Sequence, residues 1–202
     1  MMEKISQSRQ WATPFMALTA AVLVVVPMSG CAPLLVGAAA TTGVVVATDR
    51  RTTGSQLDDT TMSTSVFLKI NDKYGDKVHV GVASYNGIIL LTGEVPDQAT
   101  SDGAAQIARN EDRVRAVQNE LMIGPVSELS SRANDSYITS KVKTRFVDSQ
   151  FSPTHIKVVT ERGIVYLMGI VKKEEGDQAI EIARKTSGVK RVVRIFEYSE
   201  TP

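Results

Sequence analysis

Cys31 is the only cysteine among 202 residues, and its neighbours make its thiol usable. Ser29 and Gly30 stand just before it, small enough to admit a peptidase, and a thiol is the side chain that can form a thioether to diacylglycerol. The other residues with reactive chemistry lack partners. Ser140–Lys143 and Ser187–Lys190 have Ser-x-x-Lys spacing, but the further motifs that a serine–lysine hydrolase needs are missing. His79 and His155 each stand just ahead of an expected strand. They occupy equivalent places in a duplicated pattern, which points to a structural role at the strand start. No His/Cys/Asp cluster has metal-ligand spacing and no glycine-rich phosphate loop is present. We therefore expect no catalytic residues, no metal and no cofactor. Asn134-Asp135-Ser136 forms a glycosylation sequon, a three-residue match that carries little weight alone.

The segments around Cys31 explain how it would be used. A basic start (Lys4, Arg9) leads into the apolar run Trp11 to Pro27 and then Met28-Ser29-Gly30-Cys31. That order is a secretory signal peptide over residues 1–30. Its small-small-Cys ending resembles the lipobox of bacterial lipoproteins, which implies acylation of Cys31 as the first mature residue. Acylation also disposes of a thiol that would be reactive in an oxidising compartment. Ala32 in the next position fits sorting to the outer membrane. Ala32 to Thr48 is again apolar and rich in Gly and Ala, yet short for a span. It is expected to lie at the membrane beside the anchor, with a helix in the lipid as the alternative. The polar stretch Thr52 to Asp59 reads as a flexible tether, so residues 31–57 form a lipidated linker.

The remainder is one unit written twice. A shift of 76 positions aligns Val66 with Val142, His79 with His155, Val82 with Val158, Gly87 with Gly163, Gly93 with Gly169 and Val95 with Val171. After the turn that follows, a shift of 75 pairs Asp102 with Asp177, Ala104 with Ala179, Arg109 with Arg184 and Val117 with Val192. One deleted loop residue with register kept on both sides marks two copies of a fold, at residues 58–126 and 132–202. Met62, Val66 and Ile70 recur every four residues, as do Ile138, Val142 and Phe146, so each copy opens with an amphipathic helix. Alternating Val78, Val80 and Val82 predict a half-buried strand. Asn86-Gly87 and Arg162-Gly163 predict tight turns into second strands. An alanine-bearing helix and a last strand (Val117 to Ile123; Val192 to Tyr198) complete an α+β unit, two helices on a three-stranded mixed sheet.

The order α-β-β-α-β resembles the BON domain. The residues that carry the likeness are Gly87-Ile88-Ile89-Leu90-Leu91-Thr92-Gly93-Glu94-Val95, its counterpart Gly163 to Val171, and Gly188-Val189-Lys190-Arg191-Val192. With the lipobox and Asp49 to Gly54, the mature chain is similar to dual-BON outer-membrane lipoproteins, most closely over Asn134 to Val142, where it departs at Tyr137. The resemblance implies a periplasm-facing, lipid-anchored protein that supports outer-membrane integrity. It further implies a place at the division site and near the β-barrel assembly machinery.

The copies differ in charge. Residues 58–126 hold six Lys/Arg against ten Asp/Glu, a net of −4, and residues 132–202 hold thirteen against nine, a net of +4. A total of +1 argues against nucleic acid as a partner and hides this dipole. The opposite charges can draw the copies together or lie on solvated faces; alternatively, the basic copy meets an anionic surface. On the opening helix of the second copy, Tyr137, Ser140 and Thr144 point outward at 100° per residue. Lys141 and Lys143 flank them and Arg145 lies nearer the core edge. An outward aromatic among cations suits a headgroup layer, so these six residues are the expected site for anionic phospholipid such as phosphatidylglycerol or cardiolipin. The equivalent helix of the first copy lacks cations and presents Phe67 and Leu68, expected to be covered by the other copy or by a partner protein. The competing reading is a protein–protein adaptor in envelope or outer-membrane protein assembly, with Tyr137 and Phe67 as anchors and no lipid contact. A lytic toxin would need a pore-forming segment, for which only Ala32 to Thr48 offers itself.

Overall fold

The computed structural model describes residues 49–149 and 156–199. The signal peptide, Cys31, Ala32 to Thr48 and His155 lie outside the described residues. Repeat 1 runs α1 (Thr53–Tyr74), β1 (His79–Tyr85), β2 (Ile88–Val95), α2 (Gln98–Arg109), β3 (Ala116–Asn119) and β4 (Met122–Ile123). Repeat 2 runs α3 (Leu129–Asp148), β5 (Ile156–Glu161), β6 (Ile164–Val171), α4 (Lys173–Arg184) and β7 (Arg191–Tyr198). Both are the expected α+β unit.

Two helix starts differ from expectation. Residues 52–59, read as tether, are mostly the first turns of α1, because the Thr52 side chain caps the helix by accepting the Ser55 N–H at 3.1 Å. Half-buried Arg51 then ties Asp49 to Asp59 at 2.8 Å each, and its guanidinium lies 3.9 Å above the Tyr85 ring. Polar composition hid a helix whose start is capped by Thr52 and whose Asp59 is paired with Arg51. Likewise α3 begins at Leu129, inside the Pro125–Ser131 stretch expected to connect the copies.

Within each repeat the hairpin strands pair antiparallel and the closing strand joins the central one in parallel, β1-β2-β3 and β5-β6-β7. The last strand of repeat 1, expected unbroken over 117–123, is interrupted between β3 and β4, both parallel to β2. At the break the Asn119 side chain bonds Ser101 Oγ and accepts the Leu121 N–H, turning the backbone out of the ladder. The hairpin turns have both central residues at positive φ, Asn86/Gly87 at 50° and 75° and Arg162/Gly163 at 52° and 78°. That is the twist-matched geometry of two-residue hairpins. A buried carboxylate holds each turn. Asp59 accepts the Asn86 and Gly87 N–H groups at 2.7 and 2.9 Å, and Asp135 accepts those of Arg162 and Gly163 at 2.7 and 2.8 Å. Each opening helix is thereby pinned to its own hairpin.

Each sheet has two covered faces. One packs on the repeat's own helices: Met62, Val66, Ile70, Ile89, Leu91 and Ala104 in repeat 1, and Ile138, Val142, Phe146, Val165, Leu167 and Ala179 in repeat 2. The other faces meet each other, with Ala83, Tyr85 and Leu90 of repeat 1 against Tyr166 and Met168 of repeat 2 in one cluster. The layers therefore run helices, sheet, sheet, helices. Leu90, Tyr85, Tyr166 and Met168 are at most 2% exposed, and each large side chain so buried contributes roughly 1.5–3 kcal/mol. Polar links rim the seam: Lys157 Nζ donates to the Ser84 carbonyl at 3.0 Å, and Glu197 accepts from Asn86 and Arg115 at 2.8 and 2.7 Å. Arg162–Glu94 and Arg191–Glu120 cross from the basic repeat to the acidic one, so part of the charge asymmetry is spent inside the molecule.

Candidate functional site

Because the repeats meet sheet to sheet, the outer faces of their helices stay uncovered. On α3 the inward residues are Asp135, Ile138, Val142 and Phe146, all buried. The outward aromatic is Tyr137, 62% exposed. Lys141 is half-buried, its ammonium 4.5 Å from the centre of the Tyr137 ring and donating to the Ser187 carbonyl. Ser140, Lys143, Thr144 and Arg145 are exposed. The hydroxyls of Ser140 and Thr144 donate back along the helix, to the Ser136 and Ser140 carbonyls at 3.0 Å, so neither stands ready as a nucleophile. Arg145, expected nearer the core edge, instead reaches over the surface to donate to the Lys185 carbonyl at 2.8 Å.

That bond and the one from Lys141 bring the loop after α4 beside the helix, and with it Lys185 and Lys190, both exposed. Gly188 permits the approach. It sits at φ 97°, where a Cβ would come within 3.0 Å of the Ile138 side chain. Lys190 continues into a shallow cavity of about 250 Å³ lined also by Arg184 and Arg191. The helix pattern alone missed these cations, because sequence spacing does not tell which loop folds beside which helix. On α1, Phe67 and Leu68 are 45% and 56% exposed, so repeat 2 does not cover them. They stand next to a cavity of about 220 Å³ that Phe67 lines with Ile70, Val78 and Val80.

A second group was invisible to spacing. His79, Glu94 and Glu161 converge at the seam, with one ligand atom from each within 4.8 Å of the others. Burial, then the nearby Glu94 and Asp135 carboxylates, push the Glu161 carboxyl up to about 7 against the opposing pull of Arg162 and Arg132. Burial and the charge of Arg132 hold His79 below its ordinary value, so its ring is neutral at pH 7.

The BON domain profile matches twice, over residues 58–125 and 134–199. The chain belongs to the BON-domain family. Among BON relatives, the outer membrane lipoprotein DolP of Haemophilus influenzae is 37% identical over 174 residues, covering 85% of this chain and 90% of its own length. The 21 kDa hemolysin of Actinobacillus pleuropneumoniae is 30% identical, covering 74% and 79%. The osmotically-inducible protein Y of Escherichia coli is 29% identical, covering 69% and 72%. The chain is thus a DolP-like dual-BON protein, and these relatives are named as lipoprotein, hemolysin and osmotically induced protein rather than as enzymes. Among the described residues, no helix is long and apolar enough to cross a membrane.

Proposed function

We propose that this chain is a non-catalytic outer-membrane lipoprotein, anchored through acylated Cys31, whose second BON repeat docks on anionic phospholipid and so supports envelope integrity. The observation that carries the reading is the exposed Tyr137 on α3, with Lys141 against its ring and Lys143 and Arg145 exposed beside it. An aromatic ring sits well at headgroup depth while cations reach phosphates. Each cation near an anionic bilayer contributes roughly 1 kcal/mol. Three helix cations and the two loop lysines then give weak binding by themselves, which tethering through Cys31 amplifies by holding the membrane at high local concentration. Identity to a protein named as an outer membrane lipoprotein supports the location.

Flotation with phosphatidylglycerol or cardiolipin vesicles tests it. The parent protein is expected to float and to be released as salt rises, since screening weakens an electrostatic dock. Tyr137→Glu and Lys143→Glu are expected to stay at the bottom. Absence of binding by the parent to any vesicle ends the reading.

One observation favours the adaptor instead: Phe67 and Leu68 form an exposed apolar pair on α1. If Phe67→Ser abolishes envelope function while vesicle binding persists, a protein partner on repeat 1 is the working contact.

A further inference from the structure

The strongest unexplained feature lies in the seam, away from α3. His79 opens β1, Glu94 stands near the end of β2 and Glu161 ends β5, so the group exists only when the two repeats pack. Glu94 is 0% and Glu161 6% exposed. Glu94 Oε2 accepts the Ser127 N–H at 3.1 Å, while its Oε1 has no hydrogen bond and lies 3.5 Å from Arg162 Nη1. Glu161 Oε1 is buried with no hydrogen-bond partner among the described residues, and its Oε2 lies 4.0 Å from His79 Nε2. A buried polar atom left unsatisfied is costly, more so on a charged group, and in native proteins such atoms are met by an ion or ordered water. Around the group the Arg132 and Arg162 guanidiniums face the carboxylates of Glu94, Glu161 and Asp135.

We infer that His79, Glu94 and Glu161 form a binding site for one divalent first-row transition-metal ion, Zn²⁺ being the best fit, which staples the two BON repeats together. One imidazole and two carboxylates are a donor set that suits zinc, with a position left for water. Donors about 2.0–2.2 Å from one ion sit roughly 3.5 Å apart. The three groups therefore close inward by turning the ends of the carboxylates. Arg162 does not block this, since its side chain is 46% exposed and can swing to solvent while its backbone stays held by Asp135. Arg132 stays close and weakens the site without occupying a ligand atom. The ion would make the seam metal-dependent, independently of whether α3 touches lipid.

The test uses the full chain with Cys31→Ser, which removes the only thiol able to compete for the metal. Calorimetric titration with Zn²⁺ at pH 7.5 is expected to give one ion per chain and a rise in melting temperature. Glu161→Gln and His79→Ala are each expected to weaken uptake at least tenfold, whereas Glu174→Gln, exposed on α4, leaves it unchanged. Glu161→Gln keeps the size and shape of the side chain, and circular dichroism verifies that it folds. No uptake by the parent overturns the proposal. So does uptake that survives both substitutions, or a parent melting temperature that Zn²⁺ does not move.

Discussion

Replacing either turn-holding aspartate by asparagine should destabilise the fold, and by different amounts. Asp135 is 5% exposed and accepts two turn N–H groups, one on each oxygen. Asparagine keeps one acceptor and turns an NH₂ toward the other N–H, so one charge-assisted bond is lost and a buried donor is stranded. Taking the low ends of about 1.5–3 kcal/mol for the bond and about 1–3 for the orphan, Asp135→Asn should cost roughly 3 kcal/mol. Asp59, 3% exposed, carries more: besides the Asn86 and Gly87 N–H groups it accepts the Ser84 hydroxyl at 2.6 Å and Arg51 at 2.8 Å. Losing that partly buried ion pair, although Arg51 keeps Asp49, brings Asp59→Asn to roughly 4–5 kcal/mol. The repeats share a buried cluster, so thermal unfolding by circular dichroism should show one transition in each variant. At about 2–4 °C per kcal/mol for a chain of this size, the expected drops are roughly 9 °C and 13 °C. Two drops below about 3 °C would refute the reasoning, and so would a larger loss for Asp135 than for Asp59.

Other expectations follow from the same geometry. Burial by itself would raise the Asp59 carboxyl, but the bonds from Gly87, Ser84, Asn86 and Arg51 outweigh it and hold the group below its ordinary value of 3.8. Its contribution is therefore present above that value and fades as pH falls through the lower folded one, so Asp59→Asn should flatten the acid limb of a stability–pH curve below pH 4. Gly93→Ala should lower the melting temperature by more than any surface change: at φ 112° its Cβ would lie 1.9 Å from the His79 carbonyl oxygen. Leu90→Ala opens a cavity in the seam and should cost about 2–5 kcal/mol by denaturant titration, while Leu68→Ala, on an exposed helix face, should stay within about 0.5.

The duplication, the helix faces and the hairpins are legible in the sequence because each depends on near neighbours. Periods of about four place Met62, Val66 and Ile70 on one helix face, and only a tight turn accommodates Asn86-Gly87. The two-copy frame also aligns Asp59 with Asp135, 76 positions apart, and both carboxylates are buried, unlike surface charge. The apolar runs Ile88–Leu91 and Ile164–Met168 mark strands, but nothing in them says what covers the second face of each sheet. Only the packing of sheet on sheet decided that. It left Tyr137 exposed and joined His79 and Glu94 to Glu161, 67 residues beyond Glu94 in the chain, while folding within repeat 2 brought Lys185 and Lys190 beside α3. Spacing records local periodicity, whereas burial and charge at a seam are set by residues that meet only after both repeats have folded.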